Sequence, residues 1–282
     1  MKQKNNALTL GLQLETSVPT DDHDARISLL IEQAMEREGV VILPPSDIIT
    51  SLELLDRAGI KGRVNILDPW YNKGVGGVRD DYVEYMTQIL LKCCESSEHT
   101  YFWGFPEIAA LFVDKIPRDC TLNAWLTWFY KNNPSVIRGW RSSQQACLHI
   151  AKKDAVMHPE HFLNKEQQQK LAEGKMRFIP GPTSVIEQSL LVGFIGKKEQ
   201  TGHPAQKPVP LYEKLILMGT RPDDLVIDLM AGSGTTGEAA RIHGRKVILC
   251  DMSEEYTQIM EKRLGIKRLQ LPKRNSTKMK KD

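Results

Sequence analysis

Residues 224–251, DLVIDLMAGSGTTGEAARIHGRKVILCD, constrain the fold more than any other part of the sequence. The apolar run 225–229 lies between acidic residues and Gly232, as is typical of a buried parallel strand. Gly232, Gly234 and Gly237 then predict a turn in which no Cβ blocks the close approach of a ligand. We therefore expect a ligand to bind where this strand ends.

A helix and a second strand are predicted after this turn. Thr235 and Thr236 lead into the helix, and Gly244 ends it before the run 246–250, which is followed by Asp251. The helix N-terminus then faces the ligand, and the second strand offers a carboxylate to ribose hydroxyls. The stretch therefore predicts a strand, loop, helix and strand that bind a nucleotide-type ligand.

The acidic residue before the glycines, Asp228, indicates which nucleotide-type cofactor binds here. The glycine spacing also fits a dinucleotide fingerprint. However, Asp228 lies at the carboxyl end of the strand, where it would repel a pyrophosphate and suit the ammonium of a methionine group. Only 31 residues follow Asp251, so we expect the other strands to precede this unit. S-adenosylmethionine is the predicted cofactor, and a nicotinamide or flavin cofactor is the alternative.

The composition is that of a globular chain long enough for one large domain with an insertion. Of the 282 residues, 41% are hydrophobic and 26% are charged. With no long apolar window and no signal sequence, we expect an intracellular, cytoplasmic protein without a membrane segment. The five cysteines lack metal-ligand spacing, so we expect buried reduced thiols and no metal site. Residues 267–282 carry seven Lys or Arg and one Asp, which suits contact with a polyanion or a solvated tail.

The first part of the chain shows a second series of alternating elements. Residues 8–14 predict an edge strand, and apolar spacing predicts a helix over 22–38. A strand over 40–43, a helix over 47–58 and a strand over 63–67 are expected next. These elements predict that the sheet continues into this half.

The tetrapeptide Asp68-Pro69-Trp70-Tyr71 follows the last of these strands. Open α/β sheets place their chemistry at the carboxyl ends of strands. Within four residues the segment offers a carboxylate, a carbonyl fixed by a proline ring, and two aromatic faces, which together can hold a planar base that has an amino group. The alternative interpretation is an ordinary strand-end turn with a buried aromatic side chain.

Together these motifs resemble the beta-class DNA amino-methyltransferases, in which the catalytic half precedes the cofactor half. The resemblance covers roughly residues 40–266. Its motifs are an acidic residue (Asp47), DPWY (68–71) where the family has DPPY, HTYFWG (99–104), WFYKNNP (128–134), QACLHIAKK (145–153), HPAQKP (203–208) and AGSGTT (231–236).

The resemblance implies a Rossmann-like class I methyltransferase fold, α/β with a mostly parallel sheet in circularly permuted order. Residues 156–202, which include a polar helical stretch and an expected strand in SLLVGFIG, take the place of a small target-recognition insertion. The implied divisions are an N-terminal extension (1–39), a catalytic half (40–155), the insertion (156–202), an S-adenosylmethionine-binding half (203–266) and a basic tail (267–282).

The implied activity is site-specific methyl transfer from S-adenosylmethionine to adenine N6 in double-stranded DNA, as in restriction-modification systems. The target base must leave the helix to reach the cofactor. In the family, Asp at the first position of the tetrapeptide usually accompanies adenine, and this chain has Asp68. The alternatives are cytosine N4, an RNA substrate, and a non-catalytic DNA-binding relative. A homodimer is a candidate assembly.

The resemblance also assigns roles to single residues. Asp68 and the carbonyl of Pro69 would each accept an N–H of the target amine, which aims its lone pair at the sulfonium methyl. Tyr71 would stack on the base. Trp70 replaces the usual second proline and puts an indole at the mouth of the pocket.

On the cofactor side, Asp228 would face the methionine ammonium and Lys207 its carboxylate. Asp251 would bind the ribose and Asp47 the adenine amine, although Asp47 could instead be only a helix cap and Lys207 only a surface lysine. The other implied cofactor-binding residues are His203, Gln206, Ala231, Gly232, Ser233, Gly234, Thr235 and Thr236. Lys131, Arg138 and Arg141 are candidates for phosphate contact.

Overall fold

The computed structural model describes residues 21–73, 77–133, 136–137 and 139–272. Its helices are α1 (Asp22–Glu38), α2 (Ile48–Arg57), α3 (Tyr82–Glu95), α4 (Pro106–Ala109), α5 (Lys165–Ala172), α6 (Val209–Gly219), α7 (Thr235–Ile242) and α8 (Glu254–Leu264). Its strands are β1 (Val40–Ile42), β2 (Val64–Leu67), β3 (His99–Gly104), β4 (Cys120–Phe129), β5 (Val136–Ile137), β6 (Trp140–Arg141), β7 (Gln144–Lys152), β8 (Val185–Glu187), β9 (Leu225–Asp228) and β10 (Lys246–Leu249).

One large sheet organises the chain, in the order β1-β10-β9-β2-β3-β7-β4-β8. The first five of these strands are parallel, and β7 is antiparallel to both β3 and β4. The predicted α/β fold with a mostly parallel sheet is therefore confirmed. Because β9 and β10 lie between β1 and β2, the last described strands lie inside the sheet, beside the first described ones.

Helices cover both faces of the sheet, which explains why its central strands are apolar throughout. Leu225 and Ile227 pack with α1, α2 and α3 on one face, whereas Val226 packs with α6, α7 and α8 on the other. A strand that alternates between two buried faces needs an apolar residue at every position. Helix α1 belongs to the first of these clusters through Ile27 and Ile31, so the first described helix is part of the core.

Local capping fixes the ends of the predicted helices. Asp21 accepts a hydrogen bond from the backbone N–H of Asp24 at 2.8 Å, and Gly39 ends α1 with φ 67°. The left-handed conformation at Gly39 favours glycine because it has no Cβ. These caps account for the agreement between the predicted helix over 22–38 and α1.

Two expectations about local structure are wrong. The strand expected in SLLVGFIG is absent from the described residues, and residues 193–199 form turns instead. Gly193 and Gly196 have φ values of 60° and 63°, which no strand can contain. Gly237 is not open to a ligand either: it lies within α7, where an added Cβ would meet Leu249 Cδ1 at 2.7 Å. The expected strand at 8–14 lies outside the described residues.

Because β2, β9 and β10 are parallel, their carboxyl ends lie on the same side of the sheet and bring three acidic residues together there. Asp68 directly follows β2, Asp228 ends β9, and Asp251 comes just after β10. Asp228 is paired in register with Ile66 of β2 and with Leu249 of β10.

Among the described helices, none is both long and apolar enough for a membrane crossing.

Candidate active site

Asp68 is held by three side chains from distant parts of the sequence. Lys207 Nζ donates to both carboxylate oxygens, at 2.8 and 2.6 Å. The Tyr71 hydroxyl donates to Oδ1 at 2.9 Å, and the Tyr212 hydroxyl donates to Oδ2 at 3.0 Å. Asp68 and Lys207 are only 15% and 5% exposed, so this is a largely buried ion pair. Each oxygen accepts two hydrogen bonds, which fixes the plane of the carboxylate.

The two tyrosines remain donors over the whole working pH range. Burial, followed by the nearby Asp68 carboxylate, raises the pKa of Tyr71 and of Tyr212 well above the ordinary value. Tyr212 is also stacked on Trp103, with ring centroids 6.1 Å apart and planes 2° apart. The sequence did not reveal Tyr212, because a tyrosine on the buried face of α6 is typical of any core.

Tyr71 and Trp70 point in different directions from the tetrapeptide. Tyr71 packs edge-on against Phe105 at 4.9 Å between ring centroids, and its hydroxyl also lies 2.9 Å from Gln145 Oε1. Trp70 packs against α3, 5.3 Å from the Tyr82 ring, and its carbonyl accepts a hydrogen bond from the Tyr82 hydroxyl at 2.8 Å. Trp70 thus compensates for the missing second proline, because its contacts with α3 anchor the turn.

Asp228 is a buried carboxylate at the end of β9. It is 2% exposed and accepts hydrogen bonds from Thr236 Oγ1 and from the backbone N–H of Met230. Burial raises its pKa to about 7, although the Thr236 hydrogen bond opposes that change. A buried carboxylate with a raised pKa gains most from a cationic partner. The site therefore fits the ammonium of a methionine group.

The glycine loop is held against Asp251 by its backbone. Gly232 N–H donates to Asp251 Oδ2 at 3.0 Å, and Ser253 N–H donates to Oδ1 at 2.9 Å. Gly232 and Gly234 have φ values of 50° and 73°, which supports the predicted need for glycine there. Ala231 joins the loop to β10, since its N–H donates to the Cys250 carbonyl at 3.0 Å. The predicted ribose contact of Asp251 remains a prediction.

The HPAQKP segment packs directly on the glycine loop. Thr235 Oγ1 donates to the Lys207 carbonyl at 2.9 Å. A Cβ on Gly232 would come within 2.9 Å of His203 Nε2. The two motifs that the sequence singles out separately therefore form one wall, and this wall connects the cofactor strand to the ion pair on Asp68.

Several residues predicted to bind the cofactor also make contacts within the protein. Gln206 Oε1 accepts from the N–H and the hydroxyl of Thr201, and its Nε2 donates to the Glu199 carbonyl. Ser233 and Thr235 lie 3.1 Å apart at their hydroxyls, and both are within hydrogen-bond distance of the Arg263 guanidinium. These contacts stabilise the loop, and the cofactor contacts of Gln206, Ser233 and Thr235 remain predictions.

Asp47 has the first of the two roles considered for it, that of a helix cap. Its Oδ1 accepts a hydrogen bond from Ile49 N–H at 2.8 Å, which caps α2, and its Oδ2 accepts one from the Tyr85 hydroxyl at 3.0 Å. Asp47 is exposed beside Pro44 and Ser46, whose backbone lies next to Cys250 and Asp251. The cap is therefore present, and the adenine contact remains a prediction.

Two of the three candidates for phosphate contact are described, and both are exposed. Lys131 is exposed and forms an ion pair with Glu187 at 2.7 Å, while Arg141 is exposed in the β5–β6 hairpin. Arg138 lies outside the described residues. Within the described ranges, no group of His, Cys, Asp and Glu side chains is placed to hold a metal ion.

The fold and the site define an α/β protein of the kind that binds a nucleoside cofactor at the carboxyl edge of a parallel sheet, beside a second carboxylate. A family model described as DNA methylase, covering N6 and N4 methyltransferases, matches residues 68–262. Since this is more than half of the chain, the protein belongs to this family of S-adenosylmethionine-dependent DNA methyltransferases.

Individual relatives agree with this assignment. Type II methyltransferase M.HpaI of Haemophilus parainfluenzae is 27% identical over 236 residues, which are 78% of this chain and 72% of that protein. Type II methyltransferase M2.LlaDCHI of Lactococcus lactis subsp. cremoris is 32% identical over 146 residues, about half of each chain. The M1.HpyAVI–SAM complex superposes with a TM-score of 0.62 at 21% identity, covering 80% of this chain and 100% of that one, and shows the fold.

Proposed function

We propose that the protein transfers the methyl group of S-adenosylmethionine to N6 of adenine in double-stranded DNA. The observation that carries this proposal is the position of Asp68, a nearly buried carboxylate two residues beyond Ile66, which is paired in register with Asp228. The target carboxylate and the cofactor carboxylate thus lie at the ends of neighbouring strands. This spacing suits an amine and a methyl donor that must meet.

The residues present fit the cofactor. Asp228 would hold the ammonium, the glycine loop would lie along the methionine group, and Asp251 would bind the ribose. Bound S-adenosylmethionine supplies a methyl group on a sulfonium, which is a strong electrophile. The protein's own contribution is to hold these groups in place and to present the target nitrogen in line with the methyl group.

Asp68 activates the amine by accepting a hydrogen bond from one of its N–H groups; as the N–CH3 bond forms and the S–CH3 bond breaks, S-adenosylhomocysteine leaves and the nitrogen loses one proton. An exocyclic amine is a poor nucleophile because its lone pair is delocalised into the ring. Hydrogen bonds to Asp68 and to the Pro69 carbonyl draw the nitrogen toward tetrahedral geometry and localise the lone pair. Since both oxygens of Asp68 already accept two hydrogen bonds each, the incoming amine takes the place of one of these donors, Lys207, Tyr71 or Tyr212.

Cytosine N4 is the second candidate, because the matched family includes both N6 and N4 enzymes. Asp at the first position of the tetrapeptide and the larger stacking area of a purine on Tyr71 support adenine. We further propose that residues 156–202 read the target sequence, with phosphate contacts from Lys131, Arg138 and Arg141.

Mass spectrometry of nucleosides tests the proposal. Unmodified DNA is incubated with the protein and labelled cofactor, and Asp68→Ala serves as the inactive control. We expect label in N6-methyladenosine. Label only in N4-methylcytidine would overturn the base assignment, and label in RNA alone would overturn the substrate. Absence of label from every nucleic acid would favour a non-catalytic relative.

A further inference from the structure

The loop 190–200 is fixed at both ends on the side of the sheet where Asp68 lies. At one end Leu190 N–H donates to Asn132 Oδ1, and Asn132 Nδ2 donates to the Leu190 carbonyl, both at 2.9 Å. Asn132 follows β4, which runs parallel to β3, so it lies at the same edge of the sheet as Asp68. At the other end Gln206, next to Lys207, holds the Glu199 carbonyl at 2.8 Å.

The loop is also ordered internally. Gln200 Nε2 donates to the carbonyls of Gly193 and Ile195, at 3.2 and 2.8 Å. Leu191 covers Gly196, since a Cβ there would lie 2.3 Å from Leu191 Cδ2. These contacts place one residue of the loop, Phe194, in a defined position outside the core.

Phe194 is 92% exposed, more than any other large hydrophobic residue among those described. A single exposed apolar side chain is common on protein surfaces, so the exposure alone indicates nothing. What distinguishes Phe194 is that it lies in an ordered loop whose ends are held by Asn132, after β4, and by Gln206, next to Lys207.

The charges around Phe194 suit a nucleic acid. Lys197 and Lys198 are exposed on the same loop, and neither has an acidic partner in the described part of the chain. Glu199 does not offset them, because it accepts a hydrogen bond from Val209 N–H at 2.8 Å and pairs with Arg263. The loop therefore presents an aromatic ring flanked by two positive charges.

We propose that Phe194 inserts into the DNA duplex and occupies the space left in the stack when the target base is extruded, while Lys197 and Lys198 bind the adjacent phosphates. This inference rests on the proposed function. Extrusion removes stacking on both neighbouring bases, and an apolar side chain that enters the gap restores part of it. Glycines on both sides leave the ring free to project.

Ile242 provides a control away from this loop. It is the last residue of α7 and is 57% exposed. Helix α7 begins at the glycine loop, where β9 ends, and leads back to the start of β10, which is parallel to β9. Ile242 therefore lies toward the amino ends of these strands, on the side of the sheet opposite Asp68.

The experiment uses two duplexes that contain the recognition sequence, which is first read from modified DNA. In one the target base is paired normally, and in the other it faces an abasic position, which lowers the energy of extrusion. Single-turnover methyl transfer is measured for wild type, Phe194→Ala, Phe194→Trp and Ile242→Ala. Thermal unfolding verifies that each variant is folded.

We expect Phe194→Ala to slow transfer on the paired duplex by about tenfold, the scale of one lost stacking contact, and the loss to disappear largely on the abasic duplex. Phe194→Trp and Ile242→Ala should match wild type on both. Wild-type rates for Phe194→Ala on the paired duplex, or an equal loss on both duplexes, would overturn the inference. If wild type methylates no DNA, the proposed function itself fails and the inference falls with it.

Discussion

Replacing Lys207 by methionine tests the ion pair at the centre of the site. Methionine keeps most of the side-chain volume beside Tyr71 and Trp103 but removes the positive charge that contacts both oxygens of Asp68. The Asp68 carboxylate, 15% exposed, then keeps only hydroxyl donors. We expect the variant to fold with reduced stability and to lose methyl transfer.

The magnitude follows from the burial of the pair. Removing one partner of a buried ion pair costs about 3 to 5 kcal/mol. The tyrosine hydroxyls still stabilise Asp68, so we expect about 3 kcal/mol. For a chain of this size that corresponds to a fall in Tm of roughly 6 to 12 °C. The second substitution, Asp68→Asn, removes the unpaired charge, and the double variant should regain most of this loss.

Urea unfolding of the wild type, both single variants and the double variant gives the coupling energy directly. The reasoning predicts that the double variant is more stable than Lys207→Met alone. A double variant as unstable as Lys207→Met, or additive effects within about 0.5 kcal/mol, would show that the pair does not determine the stability of the site.

Three further predictions concern other parts of the chain. Because burial raises the pKa of Asp228 to about 7, this carboxylate loses its charge below that pH, and affinity for S-adenosylhomocysteine measured by calorimetry should fall as the pH drops from 8 to 6. Asp228→Asn should weaken binding and flatten this pH dependence, whereas Asp68→Asn should do neither. Removal of residues 273–282, which carry five basic residues and one acidic residue, should lower affinity for all duplexes alike and reduce the salt dependence, whereas an altered site preference would show that they read sequence. Burial lowers the pKa of His99 to about 4 and of His149 to about 3, so stability present above pH 6.5 should be lost as the pH falls toward 4, and urea midpoints that stay constant over this range would contradict it.

Local sequence signals were sufficient to predict the strands and the helix of the cofactor half. The apolar run before Gly232 became β9, Thr235 began α7, and the run before Asp251 became β10. Each of these elements is determined by residues adjacent in sequence, namely glycines, caps and continuous apolar runs. The same holds for α1 and for β2, whose predicted end at the tetrapeptide is confirmed.

The contacts within the site depend on residues far apart in sequence, and no local signal reveals them. Lys207 and Tyr212 lie 139 and 144 positions from Asp68, so their pairing with it becomes visible only after the sheet is assembled. The tail shows the same limit. Residues 267–282 look uniformly basic and solvated, but Arg268 pairs with Glu254 and Glu261, and Leu269 N–H donates to the Ile42 carbonyl at 2.7 Å. The prediction of a strand in SLLVGFIG was wrong because the apolar composition of this segment does not show that its two glycines form turns.

The position of β9 and β10 between β1 and β2 has a consequence for folding during synthesis. On the ribosome, β1 and β2 emerge early, yet each pairs with a strand near the other end of the chain: Val40 with Val247, and Val64 with Val226. After synthesis, β1 and β2 therefore keep apolar edges unpaired until the cofactor half has been synthesised. Such long-range pairing slows folding. A nascent chain arrested before β9 should consequently depend on chaperones, and the glycine loop emerges together with β9 and β10, the strands that join β1 to β2 in the sheet.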